Sequence, residues 1–357
     1  MNKLLLIDGH SILNRAFYGL PDLSNSQGLH TNAILGFLNI LFKVMEEEQP
    51  THLCVAFDVH QPTFRHLRYE AYKGTRKPMP EELRQQVPVM KEVLHAMRIR
   101  TVEQGGLEAD DIIGTLSRIG KAEGCQVTIL SGDRDLLQLA TDDILVRIPK
   151  TKASGTTIEN YYAADVQERY QVTPVEFIDL KGLMGDTSDN IPGVPGIGEK
   201  TAAKIITEFH SIENAYEHIE EIKPNRAKEN LRAYYDQALL SKELATICLD
   251  CPLEVHLDDM RIGEFFNEES YELFKKLELK SILNRFSQPM QTNQFQADLQ
   301  ALHDFAEVEA YFAQAENADP IAVECVVEEQ NMLGVLLAQE TGKGIWIPVE
   351  NFVTEEY

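Results

Sequence analysis

Three apolar runs in the N-terminal half of the chain each end in aspartate: KLLLID at Asp8, HLCVAFD at Asp58, and CQVTILSGDRD at Asp133 and Asp135. Runs of Leu, Val, Ile and Phe without alternation are typical of strands buried on both faces, as in a parallel sheet. Stretches with helical periodicity lie between these runs. The repeated order of strand, helix and strand predicts an α/β fold with a mostly parallel central sheet flanked by helices.

The aspartates stand where the strands end, and in sheets of this kind the chemistry collects at the carboxyl ends of the strands. The stretch GLEADDIIG adds Glu108, Asp110 and Asp111 at the start of a helical pattern. A helix N-terminus alone explains one acidic cluster, because it favours each carboxylate by about 0.3–1 kcal/mol. Several clusters at one edge repel each other unless cations lie among them. Oxygen ligands without convergent histidine or cysteine suit Mg²⁺ or Mn²⁺, so the sequence predicts a metal centre at this edge.

The net charge of −24 argues at first against a nucleic-acid partner. A basic island nevertheless lies at residues 60–80, where five basic residues face one glutamate; they are Arg65, Arg68, Lys73, Arg76 and Lys77. Such an island in an acidic protein is a candidate surface for phosphate contacts. A solvated, lysine-rich loop is the alternative interpretation.

A second candidate contact region follows in GLMGDTSDNIPGVPGIGEKTAAKI, residues 182–205. Asp186 and Asp189 are three positions apart, so one helical turn can direct both at one point. The glycines after them permit a tight turn between two helices, and their backbone N–H groups can meet a phosphate. The pattern predicts a helix-hairpin-helix.

Length and composition set wider limits. A chain of 357 residues predicts two or more domains, and 43% hydrophobic with 25% charged residues is typical of a globular protein. No run approaches the roughly 20 apolar residues of a membrane span, and the first apolar run breaks at Asp8, too early for a signal peptide. Five scattered cysteines favour a reducing compartment. We therefore expect a cytoplasmic protein without membrane contact.

Five blocks, in this order, resemble the flap endonuclease family of 5′-nucleases, in the form found in bacterial DNA polymerase I: LLLIDGHSILNRAFYGLP, VAFDVHQPTFRHLRYEAYKGTRKPMPEEL, GLEADDIIGTL, ILSGDRDLLQL and LMGDTSDNIPGVPGIGEKTA. The resemblance covers about residues 1–286. It implies a PIN-like α/β nuclease core at 1–175, with a helical arch at about 60–85, and a helical subdomain with the helix-hairpin-helix at 176–286.

The rest of the chain departs from that pattern. The polar, Gln-rich residues 287–300 are interpreted as a linker. Residues 301–357 resemble the truncated start of a 3′-exonuclease-like domain, whose first strand normally carries an Asp-x-Glu metal pair. Here that strand reads AVE, with Ala322 in the place of the aspartate and only Glu324 retained. We therefore expect a degenerate domain.

The resemblance also implies roles for single residues. Nine carboxylates would hold two or more Mg²⁺ ions, for which Mn²⁺ can substitute: Asp8, Asp58, Glu108, Asp110 and Asp111 around one, and Asp133, Asp135, Asp186 and Asp189 around the other. Tyr72 would stack on a base near the cut, Lys73 and Arg76 would contact the scissile phosphate, and Arg15 would lie nearby. The remaining DNA contacts would come from the arch and from the hairpin, which in this family often holds a K⁺ ion: Arg65, Arg68 and Lys77, and Gly193, Gly196, Ile197, Gly198, Lys200 and Lys204.

The implied function is a monomeric, structure-specific 5′→3′ exonuclease and flap endonuclease. It would cleave DNA at 5′ flaps, nicks and RNA-primer ends during replication and repair, in a bacterial cytoplasm at the nucleoid, with a polymerase domain in cis. Two alternatives stay open. One is a non-catalytic DNA-binding module whose carboxylates no longer hold metal. The other is a Mg²⁺-dependent phosphatase, although that chemistry usually needs a second aspartate where His10 stands.

Overall fold

The computed structural model describes residues 2–152, 155–286, 298–315, 322–328, 331–340 and 343–349. The chain divides into two compact units, residues 1–286 and 287–357. Most of the predicted linker, 287–297, lies outside the described residues. Its last three residues belong to a strand that begins at Asp298, so the linker prediction is wrong for those positions.

Six strands form the central sheet of the first unit: β1 (Lys3–Asp8), β2 (His52–Ala56), β3 (Arg100–Val102), β4 (Gln126–Leu130), β5 (Ile144–Lys152) and β6 (Gly155–Tyr161). Their order is β3-β2-β1-β4-β5-β6. The first five pair in parallel, and β6 pairs antiparallel with β5. The predicted mostly parallel sheet is confirmed; the antiparallel edge strand was not foreseen.

The apolar runs become strands because both faces of the sheet are covered. Along β1, Leu4 and Leu6 join one hydrophobic core, whereas Leu5 and Ile7 join the core on the opposite face. All four are at most 1% exposed. Successive side chains of a strand point to opposite faces, so an unbroken apolar run is what two cores require.

The helices that flank this sheet are α1 (Gly9–Gly19), α2 (Asn32–Glu48), α3 (Phe64–Arg68), α4 (Glu81–Arg84), α5 (Gln86–Ala96), α6 (Ala109–Ala122) and α7 (Ala163–Tyr170). The helices that follow are α8 (Glu176–Met184), α9 (Glu199–Phe209), α10 (Ile212–Glu217), α11 (Asn225–Ala233), α12 (Tyr235–Ala245), α13 (Glu268–Lys276) and α14 (Lys280–Leu283). Helix α8, the loop 185–198 and α9 form the predicted hairpin. Helices α13 and α14 return instead to the core that contains Leu5 and Ile7, where Phe274 and Ile282 pack.

Residues 60–85 do not form one helical arch. They contain the short helix α3, turns over residues 70–75, an extended stretch and the start of α4. Pro78 and Pro80 explain the break, because proline lacks the N–H that a helix interior needs.

The second unit has a four-stranded sheet and one helix within its described residues: β7 (Asp298–Ala301), α15 (Phe305–Ala315), β8 (Ala322–Glu328), β9 (Asn331–Glu340) and β10 (Lys343–Pro348). The strand order is β7-β10-β9-β8. Only the pair of β7 and β10 is parallel among these strands. Glu324, the remaining acid of the AVE sequence, lies in β8 and is exposed.

Membrane-spanning helices are absent from the described parts of both units, where no helix combines the necessary length and apolar character.

Candidate metal-dependent nuclease site

The carboxylate of Asp8 is fixed at the end of β1 by two neighbouring elements. Its Oδ1 accepts a hydrogen bond from the N–H of Ser11 in α1 (3.0 Å), and its Oδ2 accepts one from the hydroxyl of Ser131 after β4 (2.8 Å). The side chain is buried, with 5% of the residue exposed. Asp8 thus caps α1 and also faces the carboxyl edge of the sheet.

Backbone N–H groups also orient the carboxylates of Asp58 and Asp133. Asp58 Oδ1 accepts from the N–H of Ala109 at the start of α6 (2.9 Å). Asp133 Oδ1 accepts from the N–H of Asp135 (2.9 Å). His10 lies beside Asp58, and its Nδ1 accepts from the Asp58 N–H (3.2 Å). This contact leaves the ring as a neighbour of the carboxylates and supplies no metal ligand from Nδ1.

Burial and mutual repulsion make this edge electrostatically costly. Burial, together with the charge of Asp58, raises the pKa of Asp8 from 3.8 to about 7. Burial and the charge of Asp133 raise the pKa of Asp110 well above its usual range, and the same two causes raise that of Asp135 to about 7. A cation that lowers this repulsion would restore the ionised carboxylates. The charge of Asp133 raises the pKa of Asp110, from the first predicted ligand group, and of Asp135, from the second. The two predicted ligand groups are therefore electrostatically coupled.

The donor set fits a hard divalent cation, because every clustered donor is a carboxylate oxygen. Within the described residues, however, no three His, Cys, Asp or Glu side chains stand in the arrangement of a formed metal site. Basic side chains lie among the carboxylates instead. They neutralise part of the charge from within the protein.

Lys181 is the first of these internal cations, and sequence reasoning missed it. Its Nζ lies 2.7 Å from Asp135 Oδ1 and also pairs with Asp186. Burial acts against ionisation of Asp186, yet hydrogen bonds from Lys181 and Ser188 bring its pKa down to about 2. The available signal was a lysine inside the apolar helix sequence EFIDLKGLM, five positions before Asp186.

Tyr72 and Lys73 join Glu108 to Asp189. The Tyr72 hydroxyl lies 3.1 Å from an oxygen of each carboxylate, and Lys73 Nζ lies 3.0 Å from Glu108 and 3.8 Å from Asp189. Tyr72 is only 3% exposed, which differs from the expectation of a ring free to stack on a base. Burial and the charge of Glu108 raise the pKa of the phenol. A neutral hydroxyl can donate its single hydrogen to one carboxylate at a time.

Arg65 and Asp111 differ most from expectation. Asp111 is fully buried and pairs in a bidentate manner with Arg65, at 2.7 and 2.8 Å. Its oxygens also accept from the N–H groups of Glu108 (3.2 Å) and Cys248 (2.9 Å). With four donors around it, Asp111 has no room for a metal ion. Arg65, at 2% exposed, has no surface to offer DNA.

The other basic residues of the island stay nearer the surface. Arg76 pairs with Asp189 and donates to the carbonyl of Ser188 (3.3 Å). Arg68 pairs with Glu243 of α12 at 3.0 Å, with more than half of its side chain exposed. Lys77 is exposed. Arg76 thus contacts, through Asp189, the cluster of predicted metal-ligating carboxylates, here called the acidic centre: Asp8, Asp58, Glu108, Asp110, Asp133, Asp135, Asp186 and Asp189.

Arg15 lies one turn along α1 from Ser11. The Ser11 hydroxyl accepts from the N–H of Gly132 (2.9 Å), and the Arg15 guanidinium lies against the same glycine. Arg15 Nε is buried without a hydrogen-bond partner among the described residues. Burial, with the nearby charge of Arg134, lowers the pKa of Arg15. An anion would satisfy this group.

The hairpin presents a mostly polar tip. Gly196 and Gly198 are exposed, whereas Gly193 and Ile197 are buried, so Ile197 can offer only its backbone. The helix-side lysines are exposed as well; they are Lys200 and Lys204. Gly193 has a φ of 58°, and its N–H donates to the Ser241 hydroxyl of α12 (3.0 Å). The hairpin is therefore anchored to α12 while its tip faces solvent.

Residues 244–251, here called the strap, connect α12 to the acidic centre. Gln138 donates to the carbonyl of Ala245 (2.9 Å) and accepts from the N–H of Ile247 (3.0 Å). The same Gln138 amide donates to the carbonyl of Asp135 (3.0 Å). Gln138 thus links the strap to the backbone of Asp135, a predicted metal ligand.

Two family models match adjacent parts of the chain. Residues 3–171 match the 5′-3′ exonuclease, N-terminal resolvase-like domain, and residues 172–268 match the 5′-3′ exonuclease, C-terminal SAM fold. Together they cover well over half of the chain. The chain therefore belongs to the 5′-3′ exonuclease family, a family of nucleases that hydrolyse phosphodiester bonds. The family expected from the sequence motifs is confirmed.

Curated relatives agree with this assignment. The chain is 50% identical over 287 residues to DNA polymerase I of Bacillus caldotenax, covering 80% of this chain and 32% of the relative. It is 46% identical over 347 residues to DNA polymerase I of Geobacillus stearothermophilus, covering 96% of this chain and 39% of the relative. The chain thus spans about a third of the length of these relatives. Both matches cover the 5′-nuclease region of this chain.

Solved structures share the fold. The T5 D15 protein co-crystallised with metal ions aligns with a TM-score of 0.58 at 21% identity, covering 78% of this chain and 99% of that one. The catalytic core of Rad2 in complex with a DNA substrate aligns with a TM-score of 0.52 at 16% identity, covering 80% and 92%. At these identities the similarity defines the architecture of the first unit.

Proposed function

We propose that the chain cleaves DNA at 5′ flaps, nicks and RNA-primer ends, using divalent cations at the carboxyl edge of its sheet. The observation that carries this proposal is the convergence of buried carboxylates from separate elements, Asp8, Asp110 and Asp135, each near enough to another aspartate for its pKa to be raised. A buried edge whose acids suppress each other's ionisation is suited to binding cations. Membership of the 5′-3′ exonuclease family gives the phosphodiester as the bond that is cleaved.

Mg²⁺ is the proposed metal, with two or more ions held by Asp8, Asp58, Asp110, Asp133 and Asp135, and with Mn²⁺ as a substitute. Bound ions of this kind lower the pKa of a water molecule and neutralise the leaving oxygen. Three further carboxylates border this set: Asp186, Asp189 and Glu108. In the structure they pair with Lys181, Lys73 or Arg76. When metal or substrate binds, they would exchange these basic partners for contacts with the metal or the substrate. Solved structures of the same fold support the choice of a divalent cation, since one of them is a T5 5′-exonuclease with bound divalent zinc ions.

Positive charge near the scissile phosphate is proposed to come from Lys73 and Arg76. Both are already beside the carboxylates, and Arg76 has 47% of its side chain exposed. Cationic groups of this kind stabilise the extra negative charge of the transition state. Arg15, with its unpartnered Nε beside Gly132, would bind a further phosphate.

The duplex is proposed to lie along the hairpin. Exposed N–H groups at Gly196 and Gly198 and the charges of Lys200 and Lys204 suit a phosphate backbone. Such contacts position DNA without reading its sequence, so selection would follow structure. We propose K⁺ as the ion held at this loop, a monomeric state, location in a bacterial cytoplasm, and a polymerase domain in cis, as in the relatives.

The test is cleavage of a 5′-labelled flap duplex in Mg²⁺, with EDTA as a control and with the variant Asp133→Asn. We expect short 5′ products near the junction, which both EDTA and the variant remove. The matched variant Asp142→Asn, an exposed aspartate of the loop between β4 and β5, should cleave like the unchanged protein. Intact flaps in both Mg²⁺ and Mn²⁺ would overturn the proposed hydrolysis.

A non-catalytic DNA-binding module is the second candidate. It is supported by the internal cations, because Lys181, Lys73 and Arg76 balance several carboxylates without metal. A protein that binds the flap tightly but leaves it intact, with no heat of Mg²⁺ binding, would establish this second function.

A further inference from the structure

Arg65 is buried at the junction of four elements of the first unit. Its Nη1 donates to Asp111 (2.7 Å) and to Glu108 (3.3 Å), and its Nη2 donates to Asp111 (2.8 Å). Its remaining hydrogen bonds are to the strap: Nε to the carbonyl of Leu244 (2.9 Å) and Nη2 to the carbonyl of Thr246 (2.7 Å). A guanidinium has five N–H donors, and all five are used here. None is left for a phosphate.

Helix α12, which leads into the strap, also contacts the hairpin. Leu244 is in the last turn of α12, and the same helix holds Gly193 through two side chains: Ser241 accepts from its N–H (3.0 Å), and Gln237 donates to its carbonyl (2.6 Å). One helix therefore carries both the anchor of the hairpin and, three residues after Ser241, the carbonyl that Arg65 binds. Helices are stiff over such short distances.

We propose that Arg65 is a positioning residue that couples the hairpin to the acidic centre through α12 and the strap. It holds Glu108 directly and also through Asp111, whose oxygen accepts the N–H of Glu108. Movement of α12 when duplex occupies the hairpin would change the position of Glu108. This inference rests on the proposed function only in the role of Glu108 as a group of the reactive centre.

A positive charge alone would not hold Glu108 and the strap in fixed positions relative to each other. A lysine supplies a single ammonium with three donors, whereas the planar guanidinium spans a carboxylate and two carbonyls in fixed directions. The structure makes a clear distinction between Arg65 and Arg118, which also binds the strap. Arg118 donates to the carbonyl of Leu249 (2.8 Å) and pairs with Asp250 (2.7 Å), but it contacts neither Glu108 nor Asp111.

The experiment compares Arg65→Lys with Arg118→Lys in the whole chain. Four quantities are measured: melting temperature, flap affinity in EDTA, Mn²⁺ affinity by calorimetry, and single-turnover cleavage in Mg²⁺. For Arg65→Lys we expect cleavage to fall about 100-fold, the effect of a displacement of roughly 1 Å at a reactive centre. Mn²⁺ binding should weaken about tenfold, as for loss of an outer contact to a ligand. Flap affinity should be unchanged, and Arg118→Lys should leave all four quantities unchanged.

A double variant distinguishes the loss of positioning by Arg65 from a loss of folding. Arg65→Gln combined with Asp111→Asn removes both buried charges together, so no ion is left unpaired. If this double variant melts like the unchanged protein and cleaves at an unchanged rate, positioning by Arg65 is refuted. Equal losses of flap affinity and of cleavage would instead make Arg65 a DNA contact, which also refutes the proposal. If even the unchanged protein leaves flaps intact, the proposed hydrolysis fails, while weaker Mn²⁺ binding by Arg65→Lys still supports positioning.

Discussion

The Nζ of Lys181 lies 2.7 Å from Oδ1 of Asp135, in an ion pair that is largely enclosed by protein. The lysine comes from α8 of the helical part, and the aspartate follows β4 of the sheet. An ion pair between these two parts stabilises their junction only while both partners are present. Removal of one partner of a buried pair leaves a charge without compensation.

We therefore expect Lys181→Met to lower the free energy of unfolding by roughly 3–5 kcal/mol in EDTA. Mg²⁺ should recover part of this loss, because an added cation replaces the missing ammonium. Urea unfolding with and without Mg²⁺ measures both effects. Lys121→Met is the control: that lysine forms an exposed pair with Asp143 at 3.5 Å, worth about 0–1 kcal/mol. Equal losses in the two variants would contradict the prediction.

Tyr72→Phe should separate hydrogen bonding from base stacking. The variant keeps the ring and removes the hydroxyl that lies between Glu108 and Asp189. We expect cleavage to fall about tenfold, the equivalent of one hydrogen bond to a charged group, with flap affinity unchanged. Tyr161→Phe, which removes a similar bond to Glu159 on β6, should cleave normally. A Tyr72→Phe variant with full activity, beside a Tyr72→Leu variant that loses flap affinity, would favour stacking instead.

Stability should depend on pH in a direction set by Asp8 and Asp135. Their pKa values in the folded chain, about 7, exceed the ordinary value of 3.8, so the folded state holds protons that the unfolded state releases. Stability from these groups is therefore lost as pH rises from about 4 to about 7. A bound cation favours the ionised carboxylates and opposes this loss. The rise in melting temperature produced by Mg²⁺ should thus be larger at pH 8 than at pH 5.5, and an equal rise at both would speak against the raised pKa values.

Gly193→Ala should lower the stability of the protein at the hairpin. A Cβ at this position would lie 2.3 Å from the Gly185 nitrogen, on a backbone with a φ of 58°. We expect a loss of about 2–5 kcal/mol, because left-handed backbone costs roughly 1–2 kcal/mol and overpacking roughly 1–3 kcal/mol. Gly198→Ala is the comparison, since a Cβ there meets nothing within 4 Å. Thermal unfolding of both variants checks the prediction, which fails if they melt together.

The sequence predicted the carboxyl edge of the sheet well. Unbroken apolar runs ending in Asp8 and Asp58 specify buried parallel strands, and the ends of parallel strands meet at one edge. The helical pattern predicted to start within GLEADDIIG corresponds to α6, which begins at Ala109. These features depend on local periodicity, which one sequence contains.

The inward-facing part of the basic island was not predictable in the same way. Arg65 and Arg68 are three positions apart in α3, yet one is buried against Asp111 and the other is exposed beside Glu243. The difference depends on α12 and the strap, which come about 180 residues later in the chain. Composition marks a basic island but does not say which of its members pair with acids inside the fold. Lys181 was missed for the same reason.

The distance along the chain between Asp8 and the Thr246 carbonyl has a consequence for synthesis. Asp8 is made within the first strand, but Arg65 lacks its partners at Leu244 and Thr246 until residue 246 has left the ribosome. At about 5–20 residues per second, that interval lasts on the order of tens of seconds. A nascent chain in this interval has its acidic strand ends but not the strap that completes their surroundings.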